Sequence, residues 1–177
     1  MSGHNKWSQI KNKKGATDKK RSQIFSKLLK AITVAAKNEP NSQFNPTLRS
    51  AIEKAKENQV PQENIERAIK KASESGDNLE KLIMEAYGSN GSALLVLAIT
   101  DNKNRTVSEV KKILKDNDAK WADPGSVMWA FEKTGDDYRP KFPQDVSEEE
   151  KQKLENLLDV LDDYDDVQEV ITNAKLE

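Results

Sequence analysis

Apolar positions recur at helical spacing early in the chain and gather into short runs later. Ile24, Phe25, Leu28, Leu29, Ile32, Ala35 and Ala36 stand three and four residues apart, which predicts an amphipathic helix over about 20–37. Lys20, Lys27, Lys30 and Lys37 lie off that stripe and are expected on the helix's solvent side. Asn45-Pro46 pairs a capping residue with proline at the first helical position, and Leu48, Ala51, Ile52 and Ala55 supply the next buried face. Pro61 opens a third helix whose inward residues are Ile65, Ala68, Ile69 and Ala72. Three helices with short connections predict a small antiparallel bundle. Residues 1–20 are polar and basic, with only Trp7 and Ile10 as large apolar groups, and read as a flexible arm.

After the polar, Gly-containing stretch Ser73 to Asn78 the pattern changes. Leu82–Tyr87 and Ala93–Thr100 are apolar strand candidates joined by the turn residues Gly88-Ser89-Asn90-Gly91, a hairpin signature. Thr106-Val107-Ser108-Glu109 reads as a capping box opening a helix to about Asn117, with Val107, Val110, Ile113 and Leu114 inward. Ser126–Phe131 reads as a third strand, its alternation sending Val127, Trp129 and Phe131 into the core. Trp121, beside Asp123-Pro124, is left unassigned between core and surface. Ser147 caps a helix striped by Leu154, Leu157, Leu158 and Leu161, and Val167–Ile171 is the last strand. The order ββαβαβ predicts an open-faced α/β sandwich, with two helices on one side of about four strands. The expected fold class is therefore α+β, with a helical domain at 1–76 and a sandwich domain at 77–177.

Composition adds exclusions. With 35% hydrophobic and 33% charged residues each core must be small. The absence of cysteine rules out disulfides, thiolate zinc sites and thiol nucleophiles. The one histidine, His4, stands near a terminus, so little is left for general-base catalysis near neutral pH. No apolar run approaches the roughly 20 residues of a membrane span. The net charge of −1 conceals a strong polarity. Residues 1–37 hold ten Lys or Arg against one acid, whereas residues 136–177 hold five against fourteen. A polyanion partner is suggested by the distribution, not by the total.

Met1-Ser-Gly-His-Asn-Lys-Trp7, Ile10-Lys11, Lys14, Asp18, Lys20-Arg21, Phe25-Ser-Lys-Leu28, Asn45-Pro-Thr-Leu-Arg49 and Asn64-Ile-Glu-Arg-Ala-Ile-Lys-Lys71 form a recognisable series in the first half of the chain. Thr100-Asp-Asn-Lys-Asn-Arg-Thr106, Gly125-Ser-Val127, Phe131-Glu-Lys133 and Asp165-Asp-Val-Gln168 continue the series. The resemblance, in order along the chain, is to the YebC/PmpR family, which includes the mitochondrial translational activator of cytochrome c oxidase subunit I. It starts at Met1, which implies no organelle presequence and a bacterial-type cytoplasmic protein. Three departures stand out. The family's inserted third domain looks absent, with Thr134 to Val146 a short polar bridge in its place. The family's tyrosine-glycine-proline-glycine-glycine hairpin appears as Tyr87-Gly-Ser-Asn-Gly91, and a histidine common near the C-terminus is replaced, leaving Thr172-Asn173.

The main candidate interface is the basic arm. Lys6, Lys11, Lys13, Lys14, Lys19, Lys20 and Arg21 place seven cations in 16 residues, with Trp7 among them. Cations neutralise phosphates and release counterions, and an indole stacks on an unpaired base. The bland alternative is a solvated tail. Lys27 extends the same surface, and Lys70 and Lys71 offer a second basic patch beside acids able to pair with them. Asp101-Asn102-Lys103-Asn104-Arg105 precedes a helix N-terminus, where free N–H groups favour phosphate. There Arg105, with Asn102 and Asn104 as accessories, is either a phosphate contact or part of a structural turn. His4 is a further accessory. Once Met1 is removed, Ser2-Gly3-His4 could hold Cu(II) or Ni(II), but any chain with histidine third offers that set, and no metal or cofactor is assigned. The five carboxylates from Asp159 to Asp166 are expected to be a solvated helix end. A sharper alternative has Asp162, Asp163, Asp165 and Asp166 masking the arm.

No phosphate loop, catalytic carboxylate pair or Ser-His arrangement occurs, so the expectation is a non-enzymatic, monomeric, cytoplasmic regulator of gene expression that binds nucleic acid. No membrane or small-molecule partner is expected. The resemblance implies either a translation factor bound to ribosomal RNA of the large subunit or a DNA-binding transcriptional regulator. The Lys-rich arm with Trp and His favours the first, because unstacked bases are available in irregular RNA. A protein-binding adaptor acting through the acidic lobe is a third possibility.

Overall fold

The computed structural model describes residues 18–74 and 78–177. They fall into two compact units, one within Lys14–Lys81 and the other within Leu82–Glu177, the division falling two residues into the first strand.

The first unit consists of α1 (Asp18–Ala36), α2 (Pro46–Glu57) and α3 (Gln62–Glu74), with α1 packed against both of the others. Ile32, Leu48, Ala55 and Ile65 are its fully buried centre. One side chain joins α1 to α2. The Asn45 Oδ1 accepts from the Leu48 N–H at 3.0 Å, capping α2, while its Nδ2 donates to the Ala35 and Glu39 carbonyls, both at 2.8 Å. The buried Thr33 hydroxyl of α1 lies 3.0 Å from the Leu29 carbonyl and 3.2 Å from that of Ala68 on α3. At the end of α2, Gln59 takes a left-handed φ of 62° and the Val60 N–H closes onto the Ala55 carbonyl at 3.0 Å.

The second unit contains β1 (Glu80–Tyr87), β2 (Ala93–Thr100), α4 (Lys103–Asp116), β3 (Lys120–Ala122), β4 (Phe131–Thr134), β5 (Asp137–Pro140), α5 (Glu148–Asp162) and β6 (Val167–Thr172). Four strands form one sheet in the order β3-β1-β2-β6, and β4 and β5 pair separately. Strand β2 is apolar along its length because both of its faces are covered. Leu94, Val96 and Ala98 pack with Leu82 and Met84 of β1, Val110 and Leu114 of α4, and the four-leucine stripe of α5. The alternating residues Ala93, Leu95 and Leu97 pack with Val127, Ala130, Phe131 and Ile171 on the other side. The sheet is therefore not open-faced: a second, smaller core fills the side that the ββαβαβ pattern leaves to solvent.

Strand β6 carries a bulge. Leu97 pairs with Glu169 but Ala98 pairs with Val167, so Gln168 is an extra residue. That slip lets Val167 and Val170, three residues apart, both serve the helical-side core.

Two sequence expectations need correction here. The segment Ser126–Phe131 is not a strand: Met128–Ala130 is a 3₁₀ turn, and the third strand of the sheet is Lys120–Ala122. The buried residues Val127, Ala130 and Phe131 are spaced by three and four, a helical period, so alternation picks the wrong residue and Trp129 is 61% exposed instead of being core. The polar bridge Thr134 to Val146 contains the second half of a hairpin, β4–β5, with Gly135 at a φ of 64° in its turn. Trp121 lies in β3, partly buried against the helical-side core, with the Lys111 ammonium 4.7 Å from its ring centroid.

The loop leading to the 3₁₀ turn is held by one buried carboxylate. Glu85 of β1 accepts from the N–H groups of Gly125 at 2.5 Å, Val127 at 2.7 Å and Met128 at 3.0 Å. Replacing it leaves three donors unpaired, of which the Val127 N–H is buried and the others partly so, at a cost of about 1–3 kcal/mol for a group that water cannot reach. Glu85→Ala is expected to lower unfolding free energy by about 2–4 kcal/mol in urea titration. A decrease below about 0.5 kcal/mol would show that the loop does not depend on it.

Candidate nucleic-acid interface

The arm residues Lys6, Trp7, Lys11, Lys13 and Lys14, with His4, lie outside the described residues. The described part of the cationic segment begins in the first turn of α1, where Lys19, Lys20 and Arg21 are all exposed. Only Asp18 there has the sign that a helix N-terminus favours, so three cations sit at the positive end of the helix dipole. On α3, Lys70 and Lys71 are also exposed. Lys70 lies 3.5 Å from Glu74, and Arg67 of the same helix is paired with Glu63 at 2.7 Å. Such exposed pairs contribute little and yield readily to a stronger anion.

Lys27 departs from its expected place. Only 3% of its surface is exposed, so it is not part of the helix's solvent face. Because α1 packs on two helices, its buried arc is wide: it centres on Leu28, Ile32 and Ala36 and takes in Lys27 and Thr33. Ile24, Phe25 and Leu29 on the flank are only partly covered.

The segment before α4 is organised around an acid. Asn102, not Thr106, caps that helix, its Oδ1 accepting from the Arg105 N–H at 3.1 Å. Thr106 is fully buried, because its hydroxyl lies 2.8 Å from the Asp166 Oδ2 and 2.8 Å from the Thr100 hydroxyl. The same carboxylate oxygen takes the Arg105 guanidinium at 2.9 Å and the Tyr164 hydroxyl at 3.1 Å. Arg105 also pairs with Asp101 at 2.7 Å. Its guanidinium is thus held between two carboxylates, first Asp166 and then Asp101, which push its pKa further above the usual range. Asn104 beside it is exposed.

Asp166 corrects another expectation. It is 5% exposed and hydrogen-bonded, so the acidic run after α5 is not uniformly a solvated helix end, and this carboxylate is not presented for masking the arm. Sequence reasoning misses it for a definite cause. Along the chain Asp166 belongs with its acidic neighbours, whereas a threonine and an arginine some 60 residues away define its role.

Comparison with known proteins places the whole arrangement. The TACO1/YebC protein N-terminal domain model matches residues 5–75, and the TACO1/YebC second and third domain model matches residues 79–136 and 136–174. The chain belongs to the TACO1/YebC family. Its two matched pieces in the second region meet at residue 136, in the β4–β5 turn. A "Probable transcriptional regulatory protein" of Geotalea uraniireducens is 47% identical over 169 residues, covering 86% of this chain and 68% of that protein. A relative of the same name from Fervidobacterium nodosum is 49% identical over 138 residues, covering 76% of this chain but 55% of its own length. With the relative from Desulfosudis oleivorans the alignment runs over 241 positions at 40% identity, covering 99% of this 177-residue chain and 97% of that protein. This YebC-family chain is thus a short form, in line with the short bridge read from its sequence. A crystal structure of a conserved hypothetical protein from Aquifex aeolicus superposes with a TM-score of 0.85 at 32% identity, covering 96% of each chain. No described helix of this YebC-family chain is long and apolar enough to cross a membrane.

The Asp166 cluster can be tested at two of its members. Arg105→Gln should lower the thermal midpoint, because it leaves the buried Asp166 charge less compensated, while leaving the salt dependence of nucleic-acid binding as it was. A flatter salt slope with an unchanged midpoint would make Arg105 a phosphate contact. Burial raises the Tyr164 pKa above its ordinary 10.0. A raised folded pKa gives stability that is complete below the unfolded value and fades as pH rises through the folded one. Tyr164→Phe should therefore be less sensitive than the parent to pH above 10 in denaturation titrations.

Proposed function

We propose that this chain is a non-enzymatic, nucleic-acid-binding regulator of gene expression that grips its target mainly through the cationic N-terminal segment. Lys6, Lys11, Lys13, Lys14, Lys19, Lys20 and Arg21 neutralise backbone phosphates, with Trp7 available to stack. The observation that carries this reading is the clustering of charge: ten basic residues against one acid in the first 37. Lys19, Lys20 and Arg21 at the positive end of α1 sharpen it. Cations in a first helical turn oppose the dipole and lower local stability, an arrangement that a bound polyanion offsets. Lys70 and Lys71 supply a secondary patch. Arg105 is not counted in this surface, since two carboxylates already hold it.

The relatives' names speak for transcription, and so for DNA as the target. They lend no support to the ribosomal role that the arm's composition favours. The RNA reading keeps one specific observation, an indole interleaved with lysines, which suits unpaired bases more than a continuous duplex.

The test is binding to duplex DNA and to single-stranded RNA at several salt concentrations, with the triple variant Lys13→Glu, Lys14→Glu, Lys19→Glu. For every phosphate that the variant no longer neutralises, the slope of log K against log salt should flatten by about 0.9 on duplex DNA and about 0.7 on a single strand. Affinity and slope unchanged in the variant would refute the role of the segment. A promoter footprint favours the DNA target, and crosslinking to ribosomal RNA favours the other.

A further inference from the structure

The second unit displays an aromatic pair that its fold does not need. Trp129 of the 3₁₀ turn is 61% exposed and Phe142, just after β5, is 57% exposed, with ring centroids 5.7 Å apart and planes tilted by 42°. Large apolar side chains left adjacent on a surface mark a binding face more often than single ones do. The indole is also fixed in place. Its Nε1–H donates to the Ser126 carbonyl at 2.8 Å, and Ser126 belongs to the loop that the Glu85 carboxylate pins through three N–H groups. Immobilising an exposed ring ahead of binding removes an entropic cost of association, so the pair is a prepared platform.

The charges around it indicate what it receives. Lys141 adjoins Phe142 in sequence, and Arg139 lies opposite Glu132 near the base of the β4–β5 hairpin. Among the described residues the side chains of Lys141 and Arg139 are in no ion pair. The acids Asp136 and Asp137 sit at the hairpin's far end, three residue steps or about 10 Å along the strand from Pro140. Glu132 stands across from Arg139 and partly offsets it, which leaves Lys141, exposed and next to Phe142 in the chain, as the cation nearest in sequence to the pair. Two aromatic faces next to a lysine are the elements that take an unpaired base together with its phosphate.

We propose that Trp129 and Phe142 form a stacking site for an unpaired base of a single-stranded polynucleotide, with Lys141 on the adjoining phosphate. This rests on the nucleic-acid reading above but not on the choice between DNA and RNA. It is independent of the N-terminal segment.

The experiment measures anisotropy of labelled single-stranded RNA, single-stranded DNA and duplex DNA of one sequence against the full chain, Trp129→Ala, Phe142→Leu and the arm triple variant. Phe142→Leu keeps apolar bulk and removes the π-face, so it separates stacking from a greasy protein interface. Both aromatic variants should bind single strands about fivefold or more weakly, from about 1 kcal/mol per stacked base, and bind the duplex as the parent does. The arm variant should weaken all three probes. Thermal unfolding and sedimentation accompany each variant, because both rings are exposed and neither substitution should alter the midpoint. Unchanged single-strand affinity in either aromatic variant overturns the stacking site, as does an equal weakening on duplex. A shift from a self-associated parent to a monomeric variant with binding intact would assign the patch to a second copy instead. If the parent binds none of the probes, the nucleic-acid reading itself fails, a result distinct from the others.

Discussion

The second unit depends on the burial of β2 from both sides. A strand with Leu94, Leu95 and Val96 all fully inaccessible cannot be covered by helices alone, because α4 and α5 reach only one face. The other face must be sealed by something, and the chain uses the 3₁₀ turn and the β4–β5 hairpin for it. Glu85 is the polar cost of that solution. A carboxylate set within the sheet organises the loop bringing Val127, Ala130 and Phe131 onto Leu95, and it is tolerated there because three N–H groups meet it.

Much of this is legible in the residue pattern, and the failures have definite causes. The helix at Pro46 and the helix at Ser147 are marked by local chemistry, and both caps occur where those residues place them. The start of α4 is harder to read because tertiary contacts, not the local Thr106–Glu109 pattern, decide which residue caps it. Thr106 commits its hydroxyl to Asp166, 60 residues away, leaving Asn102 to cap. The expected strand at Ser126–Phe131 fails since so short a window fits both an alternating and a helical period. The buried residues there answer to Leu95 and Ile171 rather than to their neighbours. Bulges such as that at Gln168 leave no signature in a single sequence.

The candidate surface is legible in outline as a local excess of positive charge, since composition alone reveals it. Its members are less so. Whether a lysine on a helix faces water depends on how many partners the helix has, and α1 has two, which is why Lys27 is enclosed. Whether an arginine is available depends on distant acids, and Arg105 meets one of them across the fold. Charge patterning therefore indicates a partner's chemistry sooner than it identifies the atoms that touch it.

The β4–β5 hairpin has an evolutionary and practical corollary. It pairs only with itself, its turn is exposed, and its two strands run back to nearly the same place, so material spliced in at Gly135-Asp136 would not break any rung of the four-stranded sheet. Family members of different length can thus share one scaffold, and the same site would accept a grafted tag or reporter module.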